Sequence, residues 1–144
     1  MSEIVLQRPV VAIRAIARDS KGRILLLRRA NSEYGEGKWC LPGGKLDYND
    51  TPEHTVEKEL QEETNLAAEN IEFLFYQNSP PVQTGKMHCV NLYFRCSCKD
   101  DIRLNEESSE YVWVEPKDAA RYQPVFGAME AIQRWCAEKP EEIK

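Results

Sequence analysis

The sequence lacks any paired arrangement of cysteines. Cys40, Cys89, Cys96, Cys98 and Cys136 form an odd set with no Cys-x-x-Cys pair, which argues against both a disulfide framework and a cysteine-built zinc cage. They read as small buried residues, Cys96 and Cys98 flanking Ser97 at strand spacing. No apolar run approaches the roughly 18 residues of a membrane span. The start, Met1-Ser-Glu-Ile-Val-Leu-Gln-Arg-Pro9, has neither the basic start nor the long apolar stretch of a secretory signal. A cytoplasmic location without a membrane partner is the expectation. Positive charge is also in deficit, with 19 basic against 24 acidic residues and a net charge of −5. A sequence-independent nucleic-acid binder needs a basic face to engage phosphates, so nucleic acid is not an expected partner. Repeats, low-complexity tracts and linkers are missing too, and a length of 144 residues then suits a single domain over 1–144.

What is present is an alternation of strand and helix signals. Residues 9–18 are rich in β-branched side chains, Asp19-Ser-Lys-Gly22 offers turn chemistry, and Ile24 to Leu27 is apolar, which together predict a β-hairpin. After a polar loop from Asn31 to Lys38, Trp39-Cys-Leu-Pro-Gly-Gly44 reads as a short extended piece ending in a glycine pair. A helix follows, with Thr51 as N-cap, Pro52 at the first helical position, and Thr64-Asn65-Leu66 as its close. Strands are expected at Ile71 to Gln77, along the run where Val90, Leu92, Phe94 and Cys96 share one face, and at Tyr111 to Val114. A loop is expected between the first two, from Asn78 to Lys86. Val125, Ala128, Met129, Ile132, Trp135 and Cys136 recur at helical spacing before Pro140, an amphipathic helix packed on a sheet. The implied arrangement is a mixed β-sheet between helices.

The central helix carries Glu59, Glu62 and Glu63 at i, i+3 and i+4. At about 100° per residue these fall in one sector of the helix. Val56 and Leu60 lie beside that sector, so the acids are expected to be partly buried, whereas His54, Glu57 and Gln61 point away. Like charges so placed destabilise a helix, and more so when desolvated. A bound cation would offset the repulsion. An all-oxygen set suits a hard ion, Mg²⁺ or Mn²⁺, rather than zinc.

Gly44 through Leu66 resembles the Nudix box: glycine, five residues, glutamate, seven residues, then Arg-Glu-U-x-Glu-Glu-x-Gly-U, with U apolar. Gly44, Glu59, Leu60, Glu62, Glu63 and Leu66 match at the right spacing, and Leu41-Pro42-Gly43 completes the frequent approach to it. Three positions depart. Asp50 replaces a glutamate, which puts a contact within the loop–helix–loop in doubt. Lys58 replaces an arginine that helps orient the glutamates. Asn65 replaces a glycine, although asparagine also tolerates positive φ.

The resemblance implies an α/β fold of α+β type, in which a Nudix-like mixed β-sheet is sandwiched between helices (α/β/α). It further implies metal-dependent hydrolysis of a pyrophosphate bond in a nucleoside diphosphate linked to another moiety. Glu59, Glu62 and Glu63 would serve as metal ligands and catalytic acids, the Gly43 carbonyl as a further ligand, and Mg²⁺, with Mn²⁺ as substitute, as the cofactor. Glu107 is the expected acid from a later loop, with Glu106 and Glu110 as competitors. Arg28, Arg29, Lys38 and Lys45 are the candidate phosphate contacts. Tyr34, Trp39, Tyr48 and His88 are weaker candidates for ligand contact. The expected partner is a small nucleotide, with a homodimer left open. The alternative is a non-catalytic Nudix domain that binds a nucleotide or a protein, motivated by the three departures.

Overall fold

The computed structural model describes residues 7–81, 87–99 and 101–142. Seven strands form one mixed sheet: β1 (Val10–Arg18), β2 (Ile24–Arg29), β3 (Trp39–Cys40), β4 (Gly43–Lys45), β5 (Ala67–Ser79), β6 (Cys89–Lys99) and β7 (Ser108–Val114). Helix α1 (Pro52–Thr64) interrupts the strands, and a short 3₁₀ segment (Pro116–Tyr122) precedes helix α2 (Ala128–Glu138). The β1–β6 pair is parallel, and the remaining pairs are antiparallel.

Alternation along the central strands divides the core in two. Leu25 and Leu27 of β2, Ile13, Ala15 and Ala17 of β1, and Phe94 and Cys96 of β6 face α1, where Val56 and Leu60 meet them. Ile24, Leu26, Ile16 and Tyr93 face the other way, onto Ala119 of the 3₁₀ segment and Ala128, Ala131, Ile132 and Trp135 of α2. Strand residues that bury both faces must be apolar at nearly every position. The uninterrupted run Ile24 to Leu27 meets that requirement. The expected sandwich of sheet between helices is therefore present.

The expected hairpin is present only at its turn. β1 and β2 pair at Arg18 and Ile24 and then splay apart, because β4 pairs with β1 (Ala12 to Lys45, Ile13 to Gly44, Arg14 to Gly43) and β3 pairs with β2. The segment from Trp39 to Lys45 thus wedges between the two strands, and the glycine pair sits within β4 rather than ending a strand. A side chain on Gly43 would strike the Ile13 carbonyl oxygen at 2.0 Å, so only glycine admits this approach. Three expected boundaries also shift. β5 starts directly after α1, at Ala67, and runs through Asn78 and Ser79, positions expected in a loop; residues 82–86 of that loop lie outside the described residues. β7 begins at Ser108. Helix α2 begins at Ala128, leaving Val125 outside it. Among the described residues all five cysteines are free thiols, and Cys96 is buried as expected.

Candidate active site

The signals that frame α1 are local, and they behave as local chemistry dictates. The Thr51 hydroxyl accepts the His54 N–H at 3.1 Å, Pro52 opens the first turn, and Asn65 takes φ 67° beyond the last. These caps fix which way each glutamate points. Glu62 and Glu63 are adjacent and so lie about 100° apart around the helix. Glu63 is consequently buried and Glu59 half-buried, whereas Glu62 is exposed beside His54 and Lys58 on the outer side of the helix. The expected burial of all three acids is corrected for Glu62. Among the described residues no three acidic, histidine or cysteine side chains converge closely enough to form a ready metal cage.

Glu59 and Glu63 are held against the glycine pair. The Gly43 N–H donates to the Glu63 carboxylate at 3.3 Å. A side chain on Gly44 would fall 2.5 to 2.7 Å from the Glu59 carboxylate, so the missing Cβ is the space in which that carboxylate sits. Burial, followed by the repulsion of Glu59 and Glu107, pushes the Glu63 carboxyl up to about 8. Burial, then Glu62 and, further off, Glu107, pushes Glu59 up to about 7, with Lys58 opposing. Desolvation favours the neutral acid, and neighbouring anions add to it.

Glu107 is brought there by the backbone rather than by its own side chain. The Arg103 and Asn105 N–H groups donate to the carbonyls of Thr64 and Glu63 at 2.9 and 3.3 Å, stitching the loop before β7 to the end of α1. The Glu107 carbonyl accepts from the Ala30 N–H at 2.9 Å, which ties the same loop to the end of β2. Its competitors are placed differently. Glu110 pairs with Arg28 at 2.8 Å, and Glu106 contributes its carbonyl to the Asn31 side chain.

The candidate phosphate contacts separate likewise. Arg28 is spent on Glu110 and on the Gly37 carbonyl. Arg29 organises its own loop, donating to the Tyr34 carbonyl and the Ser32 hydroxyl, with its guanidinium 4.8 Å from the Phe126 ring. Lys38 and Lys45 are exposed. Among the aromatic candidates, Trp39 packs edge-on against Tyr122 at 5.1 Å, and Tyr34 and Tyr48 are exposed. His88 is hydrogen-bonded to Asn78 at 2.6 Å. Sequence reasoning missed Arg14, which lines a narrow, water-sized crevice with Cys40, Tyr93 and Phe126. The available signal was a lone arginine inside the apolar strand Val10 to Ala17.

A model of the NUDIX domain matches residues 8–136. The chain is a member of the Nudix hydrolase family. A MutT-like protein of Streptomyces ambofaciens is 32% identical over 112 residues, covering 76% of this chain and 66% of that protein. A nucleoside triphosphatase NudI of Escherichia coli O81 (strain ED1a) is 27% identical over 95 residues, covering 60% and 67%. The chain thus spans about two thirds of the length of these curated relatives. Among solved structures, the MutT protein of Methanosarcina mazei Go1 superposes with a TM-score of 0.79 at 26% identity, covering 94% of this chain and 99% of that one. No helix among the described residues is long and apolar enough to cross a membrane.

Within the Nudix box, two of the three departures prove to be one contact. Lys58 reaches Asp47 at 2.7 Å and Asp50 at 3.4 Å, and Asp50 also accepts from the Thr51 N–H and pairs with His54. The shorter acid and the point-charge lysine meet each other, while Lys58 still tempers Glu59 electrostatically. Asn65 adopts the left-handed conformation that a glycine would supply. Divalent metal dependence is typical of Nudix proteins, and the donor set here fits it. Hard carboxylate oxygens lie beside a glycine-made cradle, on a helix end with no basic residue in its last turn.

Proposed function

We propose that this Nudix protein is a Mg²⁺-dependent pyrophosphohydrolase that cleaves a P–O–P bond of a nucleoside diphosphate linked to another moiety. The observation that carries the reading is the Glu59–Glu63 pair, whose ionised form is made unfavourable by burial against Gly43 and Gly44 with Glu107 close by. Such an arrangement is costly for the fold alone, and it sits at the helix end where the macrodipole is already negative. A divalent cation held there compensates both.

Glu59, Glu62 and Glu63, with the Gly43 carbonyl, are the residues that would hold Mg²⁺, or Mn²⁺ in its place. When bound, the ion neutralises phosphate oxygens and lowers the pKa of water. Exposed Glu62, on the adjoining side of the helix, would join the set from the solvent side. Glu107 is assigned to take the proton of the attacking water. The water oxygen bonds to one phosphorus, the bridging P–O bond breaks, and the proton passes from Glu107 to solvent or the departing phosphate. Little covalent help is required of the protein, since phosphoryl transfer depends mainly on alignment and charge neutralisation. Lys38 and Lys45, exposed beside the glycine segment, would meet the outer phosphates.

Nucleoside triphosphates are the first substrate class to examine, because the curated relatives include proteins named nucleoside triphosphatases. ADP-ribose, dinucleoside polyphosphates and nucleotide sugars complete the panel. Purified protein with Mg²⁺ should release phosphate or pyrophosphate from at least one of them, and identifying the products shows which phosphorus is attacked. Absence of turnover across the panel would refute the reading. Against the non-catalytic alternative, Lys58 and Asp50 satisfy each other and Asn65 takes the left-handed conformation, so the departures leave the helix intact.

A further inference from the structure

Strand β1 buries apolar residues on both faces, and Arg14 stands alone among them. Its Nε is buried with no hydrogen-bond partner, and the side chain makes no ion pair among the described residues. Arg18 and Arg95, the other arginines with a buried Nε, are both tied to Glu142. A buried donor nitrogen without an acceptor is costly, and the cost is recovered when an oxygen anion reaches the half-exposed guanidinium that carries it. The geometry says where that anion would lie. Arg14 is paired in register with Gly43, whose N–H meets Glu63, while Gly44 and the Glu59 beside it face the α1 side of the sheet with Ile13. The Arg14 charge reaches Glu63, Cys40 and Tyr93, opposing the rise that burial imposes on each. By strand alternation Lys45, opposite Ala12, shares its face of the sheet.

The crevice over Arg14 is also walled in a specific way. Phe126 at its mouth has φ 62°, a left-handed conformation that a bulky residue seldom adopts. The Arg29 guanidinium lies over this ring, and Gly35 leaves room for it, a Cβ there falling 3.0 Å from the ring edge. Arg29 therefore shapes the wall, and Arg14 is the cation lining the crevice whose Nε is left unpaired.

We propose that Arg14 is a substrate-binding residue that donates to an oxygen of the phosphate nearest the sugar, which would sit at the opening of the crevice while the remaining phosphates extend to the acids. This rests on the pyrophosphohydrolase reading above. A phosphate, rather than a base carbonyl, is favoured by the adjacency to the glutamates and by the fork of donors that guanidinium offers to anionic oxygens.

The test is calorimetric binding in EDTA, where no hydrolysis occurs, of the four common ribonucleoside monophosphates and their parent nucleosides. Wild type, Arg14→Gln and Arg14→Lys are compared, with circular dichroism checking the fold of each. Arg14→Gln should weaken monophosphate binding by about 10-fold or more and leave nucleoside binding nearly unchanged. Arg14→Lys, which keeps the charge without the fork, should lose less, and it carries the comparison if the glutamine variant fails to fold. Unchanged monophosphate affinity overturns the inference, as does equal weakening for nucleoside and monophosphate, which would place the contact on the base or sugar. Wild-type turnover on triphosphates, measured separately, keeps the two readings apart. Turnover with indifferent Arg14 variants removes only the Arg14 contact, whereas neither turnover nor monophosphate binding by wild type removes both.

Discussion

The two ends of α1 are built differently. At the N-terminal end the charges around the cap have counterparts: Asp50 with His54 and the Thr51 N–H, and Lys58 with Asp47 and Asp50, while Thr51 caps the first turn. At the C-terminal end Glu59 and Glu63 are buried together against the glycine pair with no basic residue in the last turn, and the most buried of them is held by a single 3.3 Å hydrogen bond, from a backbone N–H. One end is chosen for the fold. The other carries a charge arrangement that the fold alone would not select, and a helix can tolerate it because packing of Val56 and Leu60 holds the element in place. The contrast locates function in the strained half, and it can be attacked from either side.

The largest effect belongs to the crowded end. Glu63→Gln, which keeps shape and removes charge, should cut turnover by about 100-fold or more in a steady-state phosphate-release assay. The same variant should melt higher than wild type in EDTA at pH 8, because the buried repulsion is gone. A melting point that falls instead would mean that Glu63 serves the fold. Next comes pH. In metal-free protein the carboxyls of Glu59 and Glu63 have folded values near 7 and 8, against 4.5 for the free side chain. Below about 4.5 their stabilising contribution is fully present, and it is lost as pH rises through 7 and 8, where the folded protein is forced to ionise them. Calorimetric melting in EDTA should therefore fall between pH 5.5 and 8.5, more steeply for wild type than for Glu63→Gln.

The satisfied end should give smaller and differently signed effects. Lys58→Met removes the counterpart of Asp47 and Asp50 and the charge that tempers Glu59, and turnover should drop by about 10-fold, with Lys58→Arg retaining most of it. Thr51→Ala loses the cap, which should cost about 1 kcal/mol and lower the melting temperature by about 2–4 °C. Turnover per folded molecule should hardly move. If Thr51→Ala lowered turnover as much as Glu63→Gln, the division of the helix into two halves would be wrong.

How much of this was legible in the sequence follows from the range of the interactions. Thr51, Pro52, Asn65 and the Gly44 to Leu66 spacing act within a few residues or one helix, so their chemistry is written in order along the chain. The family and the sandwich followed from them. Glu62 was misplaced because three acids in one sector look alike until the neighbouring surface decides which edge of the sector is covered. The wedge of Trp39 to Lys45 between β1 and β2 was not legible, since it depends on which strands splay, and it is this wedge that places Arg14 against Gly43. Glu107 was named from its position before β7. The hydrogen bonds that carry its loop to the end of α1 join residues some forty positions apart through the backbone, where side-chain identity leaves no mark. Arg28 and Arg29 were attractive as cations at a strand end, and their real partners come from the loop after β2 (Tyr34, Gly37), from β7 (Glu110) and from the segment before α2 (Phe126).

The most direct test is a Mg²⁺ titration of the melting temperature at pH 8, with wild type and Glu63→Gln side by side. The account predicts that Mg²⁺ raises the wild-type melting temperature by several degrees, as expected of any ligand that binds the folded state alone, and shifts the variant little. An equal shift in the two proteins, or none in wild type at millimolar Mg²⁺, would contradict it.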